Sequence, residues 1–507
     1  YSPEISSPSD SKGDSLRRER IYLVVAAAIA AVLRLPAYFA SRHLTFDDGV
    51  FASSVMAMRD GGLPFRDIFS SQAPLFLPLA YVGDVLGLRT LNSPRVLAVI
   101  SGVAITIFVF AALARVTSSH AALYGALLVG TSGCVMWVTG PLAADGPALA
   151  FAAVAFWLLL IYLDRPTLTC SLFIGLSIGA SLSTKTMNLP LVVVAALVLL
   201  TTFVNDARAK RFDPRSLLNP LLSGLTAIAV FVLSSIPFGL ADVWSQSFDY
   251  RVETSGDRDP LRNLRKIIST LWDRDLVLWL AVLVGVAWAI YQTVTKESPE
   301  SEPVESETSV SDWAPSPRLL AVLWLMLTLV WLTVGVNPMW RAHVSAVVLP
   351  AALVLALYAP PKKWLAVVAL ASIPLLAIQL SELLRPGPYR GSEHDVVEVL
   401  RSLPEGAWAI SDEPGLVWKA GLRTTDFFVD PSVLRIQTGR YGLDDVVSAA
   451  AQDKVCAVVV RSKDRFGSFP DLGQRLISMG YVVAQTSSTR SGDDQRVYVK
   501  ADCSPTG

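Results

Sequence analysis

The sequence predicts a polytopic α-helical membrane protein with a small α/β domain at its C-terminal end. Of its 507 residues, 52% are hydrophobic and only 17% charged. A soluble chain of this size carries about 25% charged residues, so much of this apolar surface must face lipid. Runs near the ~20 residues needed to cross a bilayer recur from Ile21 to Leu384. From Arg385 the pattern changes to short strand-like runs alternating with amphipathic ones.

Residues 1–20, YSPEISSPSDSKGDSLRRER, are polar and read as a disordered cytoplasmic segment. The apolar run after them is long enough to span and carries no clear cleavage site, so it is expected to stay as a span. Arg17, Arg18 and Arg20 hold the N-terminus inside under the positive-inside rule, and span one then exits at Asp47 and Asp48. Spans are predicted near 21–40, 94–114, 120–139, 145–163, 169–186, 188–204, 218–240, 275–293, 318–336, 342–358 and 363–384, about eleven crossings within a membrane module of residues 21–384. Arg208, Lys210, Arg211, Arg215, Lys362 and Lys363 then fall in cytoplasmic loops, as does KESPESEPVESETSVSD, an acidic Ser-rich linker. An odd number of spans puts residues 385–507 outside. The outer loops are basic too, with Arg42, Arg59, Arg66, Arg89 and Arg95 in the first and Arg251, Arg258, Arg262, Arg265 and Lys266 in a later one. That weakens charge as a topology signal and raises the question of what those cations bind.

The region 385–507 reads as one α/β domain. AWAI, VCAVVV, YVVAQT and RVYVKAD are predicted strands, and DDVVSAAAQ and DLGQRLISMG helices. It has no glycine-rich phosphate loop and no nucleophile elbow, which points to a structural or acceptor-binding role. The four cysteines, Cys134, Cys170, Cys456 and Cys503, show no metal spacing, and Cys456 and Cys503 are a candidate disulfide if the domain is extracytoplasmic. A formal net charge of +0 argues against a nucleic-acid partner.

The chemistry is expected around the first outer loop. Asp47 and Asp48 lie at the water-facing end of a span, where paired carboxylates can bind a cation, take a proton from a hydroxyl, or only mark the boundary and cap a helix. After them Phe51, Val55 and Met58 fall at helical spacing, and Gly61, Gly62 and Pro64 end that helix. PLFLPLAYVGDVLG is too short and broken for a span and is expected to lie in the interface, roofing a cavity open to lipid and water.

FDDGVFA, then SPRVLAVISGVAITIFVFAALARV, WVTGPLAADGPALAF and GLSIGASLSTKTMNLP, in this order and topological placement, resemble the membrane glycosyltransferases of the GT-C fold. The nearer likeness is to the branch of protein O-mannosyltransferases and lipid A aminoarabinose transferases. It covers Leu44 to Pro190 well and Asn337 to Pro350 weakly. The resemblance implies an inverting enzyme that moves a sugar from a polyprenyl-phosphate donor to a cell-envelope glycan, lipid or protein acceptor on the outer face. Asp47 would be the general base, and Asp48 would orient Asp47 or the loop. Asp145 would contact substrate or support the site, with helix capping as its plain alternative. Lys185 would face the donor phosphate as a point charge, against a snorkelling lysine. At the outer mouth NPMWRAHVSAVVLP, Arg341 would grip phosphate, Trp340 would stack on sugar or lipid, and His343 would donate a hydrogen bond or ligate a metal, though no second histidine lies nearby. Arg251 is a further headgroup candidate. Trp340 fits an interfacial aromatic belt equally well. No nucleotide cofactor is implied, and the sequence gives no support for a divalent metal.

Two departures limit the carry-over. SSQAP has Gln72 where aminoarabinose transferases show a lysine before proline, and the α/β tail is not a feature of protein O-mannosyltransferases. The rival class is a transporter or flippase, which would call for internal repeats and buried mid-membrane charge pairs, and neither is evident. A third reading is a non-catalytic scaffold whose tail binds envelope glycan. Alanine-rich spans and a preference for Arg over Lys point to the plasma membrane of a high-GC bacterium, with active site and C-terminal domain extracytoplasmic.

Overall fold

A computed structural model describes residues 8–208, 214–256, 258–295, 314–358, 362–488 and 494–503. The acidic linker, Lys210, Arg211 and the first seven residues lie outside these. Of the tail expected to be disordered, the part from Pro8 onward is already helical, as the start of α1 (Pro8–Tyr38).

Helices stand at all eleven positions expected to span. Among the described residues, seven are long and apolar enough to cross, and an eighth qualifies if the bent pair α5–α6 is one span. The shortfall has physical causes. Helix α8 (Leu168–Thr184) has 17 residues and α9 (Pro190–Leu199) has 10, and the helix Pro260–Thr295 breaks at Asp275. At 1.5 Å per residue, 17 residues reach only about 26 Å.

The bend between α5 (Ser119–Thr131) and α6 (Gly133–Thr139) measures 59°. It is held by one charge on each side. Buried Arg34 donates to the Gly130 carbonyl at 3.1 Å, near the C-terminal end of α5. Asp275 accepts from the Gly133 and Cys134 amides, both at 2.9 Å, at the start of α6. Each group meets backbone atoms that the break orphans, with the sign the helix dipole favours.

After α1 the chain forms α2 (Phe46–Arg59) and α3 (Phe76–Leu86), both short, in the loop that precedes α4 (Val96–Val116). The C-terminal domain is a four-stranded sheet of order β1-β2-β4-β3, from β1 (Trp408–Ser411), β2 (Val455–Val460), β3 (Tyr481–Ser488) and β4 (Asp494–Lys500). Strands β1 and β2 run parallel, and β4 is antiparallel to both neighbours. Cys456 and Cys503 are joined by a disulfide.

This domain is seated on the first loop. Its helix Pro414–Ala420 packs against α2 so closely that a Cβ on Gly49 would lie 2.5 Å from the Gly415 nitrogen. Trp418 Nε1 donates to the Leu91 carbonyl at 2.9 Å and Lys419 Nζ to the Ala40 carbonyl at 2.9 Å. The Arg95 guanidinium lies 4.9 Å from the Trp418 ring, a cation–π contact that joins membrane module and domain.

Candidate functional site

The site follows from how α2 begins. Thr45 caps it by accepting the Asp48 amide at 3.1 Å, which sets Asp47 and Asp48 in the first turn. Successive residues on a helix point about 100° apart, so the two carboxylates part company.

Asp48 turns inward, away from the cavity. It is fully buried, paired with Arg95, and accepts the Leu142 amide at 2.8 Å and the Leu44 amide at 2.9 Å. Arg95 spends its other donors on the carbonyls of Ala37, Ala40 and Arg42. Although burial opposes it, this set of donors holds the Asp48 carboxyl below its usual range. Expected from sequence to orient Asp47 or the loop beside it, Asp48 ties α2 to the ends of α1 and α4 through Arg95.

Asp47 faces a cavity of about 380 Å³. Asp47 is itself exposed at the cavity wall, and desolvation by the protein mass around the cavity raises its pKa from 3.8 to about 6. Lys185 and Arg251 pull the value down, while Asp145 and Asp430 push it up. A carboxylate so tuned is a better base near neutral pH than an ordinary aspartate.

Lys185 ends α8 and lines the same cavity, with Nζ 2.6 Å from Asp145 Oδ2. Asp145, in the first turn of α7 (Asp145–Asp164), is buried behind Lys185 and does not line the cavity. Of the two roles expected of Asp145, contact with substrate or support of the site, its pairing with Lys185 is a supporting contact. Arg251 donates to the Ser71 carbonyl at 3.0 Å, and burial lowers its guanidinium from the usual range. Such a desolvated cation favours an anionic ligand.

The outer-mouth residues divide. His343 and Trp340 line the cavity, and the Trp340 amide donates to His343 Nδ1 at 3.2 Å. Arg341 does not line it: its guanidinium pairs with Asp273 at 2.9 Å, and both side chains are about half exposed. Arg341 is thus directed to Asp273 and not to the cavity in this structure.

A second cavity of about 210 Å³ shares Ser71, Gln72, Lys185, Arg251 and His343 with the first. Its remaining walls are mostly apolar, among them Met187, Phe248, Trp331 and Val336. The two cations thus stand where the Asp47 cavity meets a second, mostly apolar chamber. Among the described residues, no group of three or more His, Cys, Asp or Glu is placed to hold a metal ion.

The sequence reading gave the C-terminal domain a structural or acceptor-binding role but named none of its residues in the site. Asp430, Ser432 and Arg465 also line the first cavity. Arg465 follows β2, pairs with Glu413 at 3.1 Å and lies 4.3 Å over the Phe46 ring. Asp430 sits in the turn VDPSV, where Asp before Pro with Ser two residues on is a legible turn signal but no functional one.

The family described as dolichyl-phosphate-mannose-protein mannosyltransferase matches residues 74–235. No curated protein matches the chain in sequence. Among solved structures, ArnT from Cupriavidus metallidurans in the apo state superposes with a TM-score of 0.60 at 12% identity, covering 96% of this chain and 99% of that one. The same ArnT bound to undecaprenyl phosphate gives 0.58 at 13% identity, with the same coverage. An oligosaccharyltransferase from Archaeoglobus fulgidus, tethered to an acceptor peptide, gives 0.52 at 11% identity, covering 96% of this chain and 75% of that one. These likenesses establish the GT-C fold. With the family match over residues 74–235, they make the chain similar to membrane glycosyltransferases of that fold. It resembles the protein mannosyltransferases and ArnT.

Proposed function

We propose that the chain transfers a sugar from a polyprenyl-phosphate donor to a hydroxyl of a cell-envelope acceptor, with inversion at the anomeric carbon, on the outer face of a bacterial plasma membrane. The observation that carries this reading is that Asp47 and Lys185, 138 positions apart in sequence, line one cavity. The donor phosphate sits against Lys185 and Arg251, its lipid enters the apolar chamber, and its sugar lies beside Asp47. Asp47 takes the proton of the attacking hydroxyl. The two cations stabilise the charge that grows on the departing phosphate, where preorganised electrostatics contribute most. His343 and Trp340 border the sugar.

Two features support the donor class: Lys185 and Arg251 stand beside a mostly apolar chamber, and undecaprenyl phosphate is bound in the similar ArnT structure. Two others support the outer face: the basic cluster before span one and the disulfide in the domain that covers the cavity. The test is transfer of label from polyprenyl-phosphate sugars by the purified protein in lipid nanodiscs. Turnover by wild type and its loss in Asp47→Asn is the expected result; label movement that survives both Asp47→Asn and Lys185→Ala refutes the mechanism.

A further inference from the structure

The C-terminal domain brings a second carboxylate to the cavity. Asp430 is only 6% exposed and lines the same space as Asp47. Its Oδ1 accepts the Ser432 amide at 3.1 Å, and its main-chain carbonyl accepts from Arg435 at 2.6 Å. The Arg435 guanidinium lies 4.3 Å over the Phe69 ring, which pins the Asp430 turn to the first membrane loop. Arg435 bonds to main-chain oxygens here, those of Phe427 and Asp430, and not to the carboxylate. Among the described residues the Asp430 carboxylate has no cation at salt-bridge distance. Ser432 Oγ and Tyr250 Oη lie 3.4 Å apart on the same cavity wall.

Beyond the Ser432 amide and hydroxyl that donate to it, the ionised Asp430 carboxylate facing the cavity takes further hydrogen-bond donors and only accepts. A phosphate cannot supply them, and the cations Lys185 and Arg251 already suit that group. A sugar or polyol hydroxyl can. The geometry points to an acceptor subsite on the C-terminal domain, in which Asp430 and Ser432 bind the hydroxyl next to the one that Asp47 deprotonates. The acceptor class is therefore a vicinal diol, as on a sugar ring, rather than an isolated serine or threonine hydroxyl. Such a subsite rests on the glycosyl-transfer function proposed for Asp47 and Lys185.

The step balances without Asp430. The attacking hydroxyl gives its proton to Asp47, its oxygen bonds to the anomeric carbon, and the carbon–oxygen bond to phosphate breaks, its electron pair leaving with the polyprenyl phosphate. Asp430 binds and orients; it exchanges no atom. The charged and titratable groups that act on Asp47 are Lys185, Asp145, Arg251 and Asp430. Those near Asp430 include Arg435 and Arg251, and Tyr250 and Tyr441 are also influenced by it.

The experiment uses full-length protein in nanodiscs, the polyprenyl-phosphate sugar that wild type accepts, and octyl glycosides with their singly deoxygenated analogues as acceptors. Wild type should prefer the intact diol by ~10-fold or more, because a site built around a hydroxyl rejects the analogue lacking it. Asp430→Asn should raise acceptor KM by ~10-fold and erase that preference, with a smaller effect on hydrolysis of the donor by water than on transfer. It should also move the acid limb of kcat/KM to lower pH, since one negative charge beside Asp47 is gone, and Asp430→Glu should restore the limb. Unchanged preference and limb in Asp430→Asn, or an equal fall in donor hydrolysis, overturns the subsite while leaving the glycosyltransferase intact. Should Asp430→Asn not fold, Ser432→Ala takes its place, with loss of the preference expected and its retention decisive against. Absence of transfer by wild type from every polyprenyl-phosphate donor sinks both readings.

Discussion

Lys185 Nζ stands 2.6 Å from Asp145 Oδ2, joining the residue that ends α8 to the first turn of α7. The pair is buried, yet Lys185 still lines the cavity. Burial of both partners makes the geometry strongly specified, because removing one leaves an uncompensated charge. Lys185→Ala should lower kcat by ~10²–10³-fold, the usual loss when one transition-state charge stabiliser is removed. Asp145→Asn should lower it less, acting only through the lysine. The double variant should be hardly worse than Lys185→Ala alone, since both changes disable one unit. Strictly multiplicative losses in kcat would show that Asp145 acts independently.

For Asp47 the pH dependence has a definite sign. Enclosure raises its pKa to about 6, and a base must be ionised to work. Transfer should therefore be at full rate well above pH 6 and fall tenfold per unit below it. An acid limb near pH 4 would mean that the cavity does not desolvate Asp47. Asp47→Asn should cost ~10²–10⁴-fold in kcat at every pH and abolish that limb.

Much of this was legible from sequence because lipid is an exacting solvent. Apolar runs near twenty residues seldom arise in a chain that must stay in water, and all eleven predicted positions are helical. Asp47 stood out for the same reason, as a carboxylate bordering apolar chain. What stayed hidden depends on facing. Sequence cannot say which of two adjacent aspartates looks into the cavity, because Arg95, the residue that claims Asp48, lies 47 positions away. Nor could it distinguish Lys185 holding a phosphate from Lys185 holding Asp145, when the structure lets it do one and be ready for the other. Asp430 and Arg465 were missed because carboxylates and guanidinium groups are commonplace in a polar domain, and only docking onto α2 makes them part of the site.

The Asp48–Arg95 pair should govern stability more than chemistry. Both side chains are fully buried, and Arg95 also ties down three carbonyls at the end of α1 and just beyond it. Asp48→Asn leaves Arg95 without its counter-ion and should cost about 3–5 kcal/mol. Because folded Asp48 is held below its normal pKa, the stability it supplies is present above pH ~4 and fades as pH falls through the folded value. Detergent-solubilised Asp48→Asn should melt well below wild type at pH 7 and lose part of that difference in acid. Equal melting temperatures at pH 7 would remove the anchor role.

The contact between Gly49 and Gly415 tests whether the C-terminal domain belongs to the active site or only accompanies it. Added to Gly49, a Cβ would meet the Gly415 nitrogen at 2.5 Å and its Cα at 2.6 Å, backbone atoms that cannot swing aside. Helix α2 tolerates alanine at this position locally, and alanine is the better helix former, so Gly49→Ala should not harm α2 itself. The whole penalty falls on docking. If Asp430 and Arg465 complete the cavity, Gly49→Ala should lower transfer by ~10-fold or more, raise acceptor KM more than donor KM, and increase hydrogen exchange along helix Pro414–Ala420. Gly224→Ala, where a Cβ meets nothing within 4 Å, is the matched control and should leave activity unchanged. Normal transfer in Gly49→Ala together with raised exchange at that helix would mean the domain can loosen without consequence, and that the chemistry is confined to the membrane module.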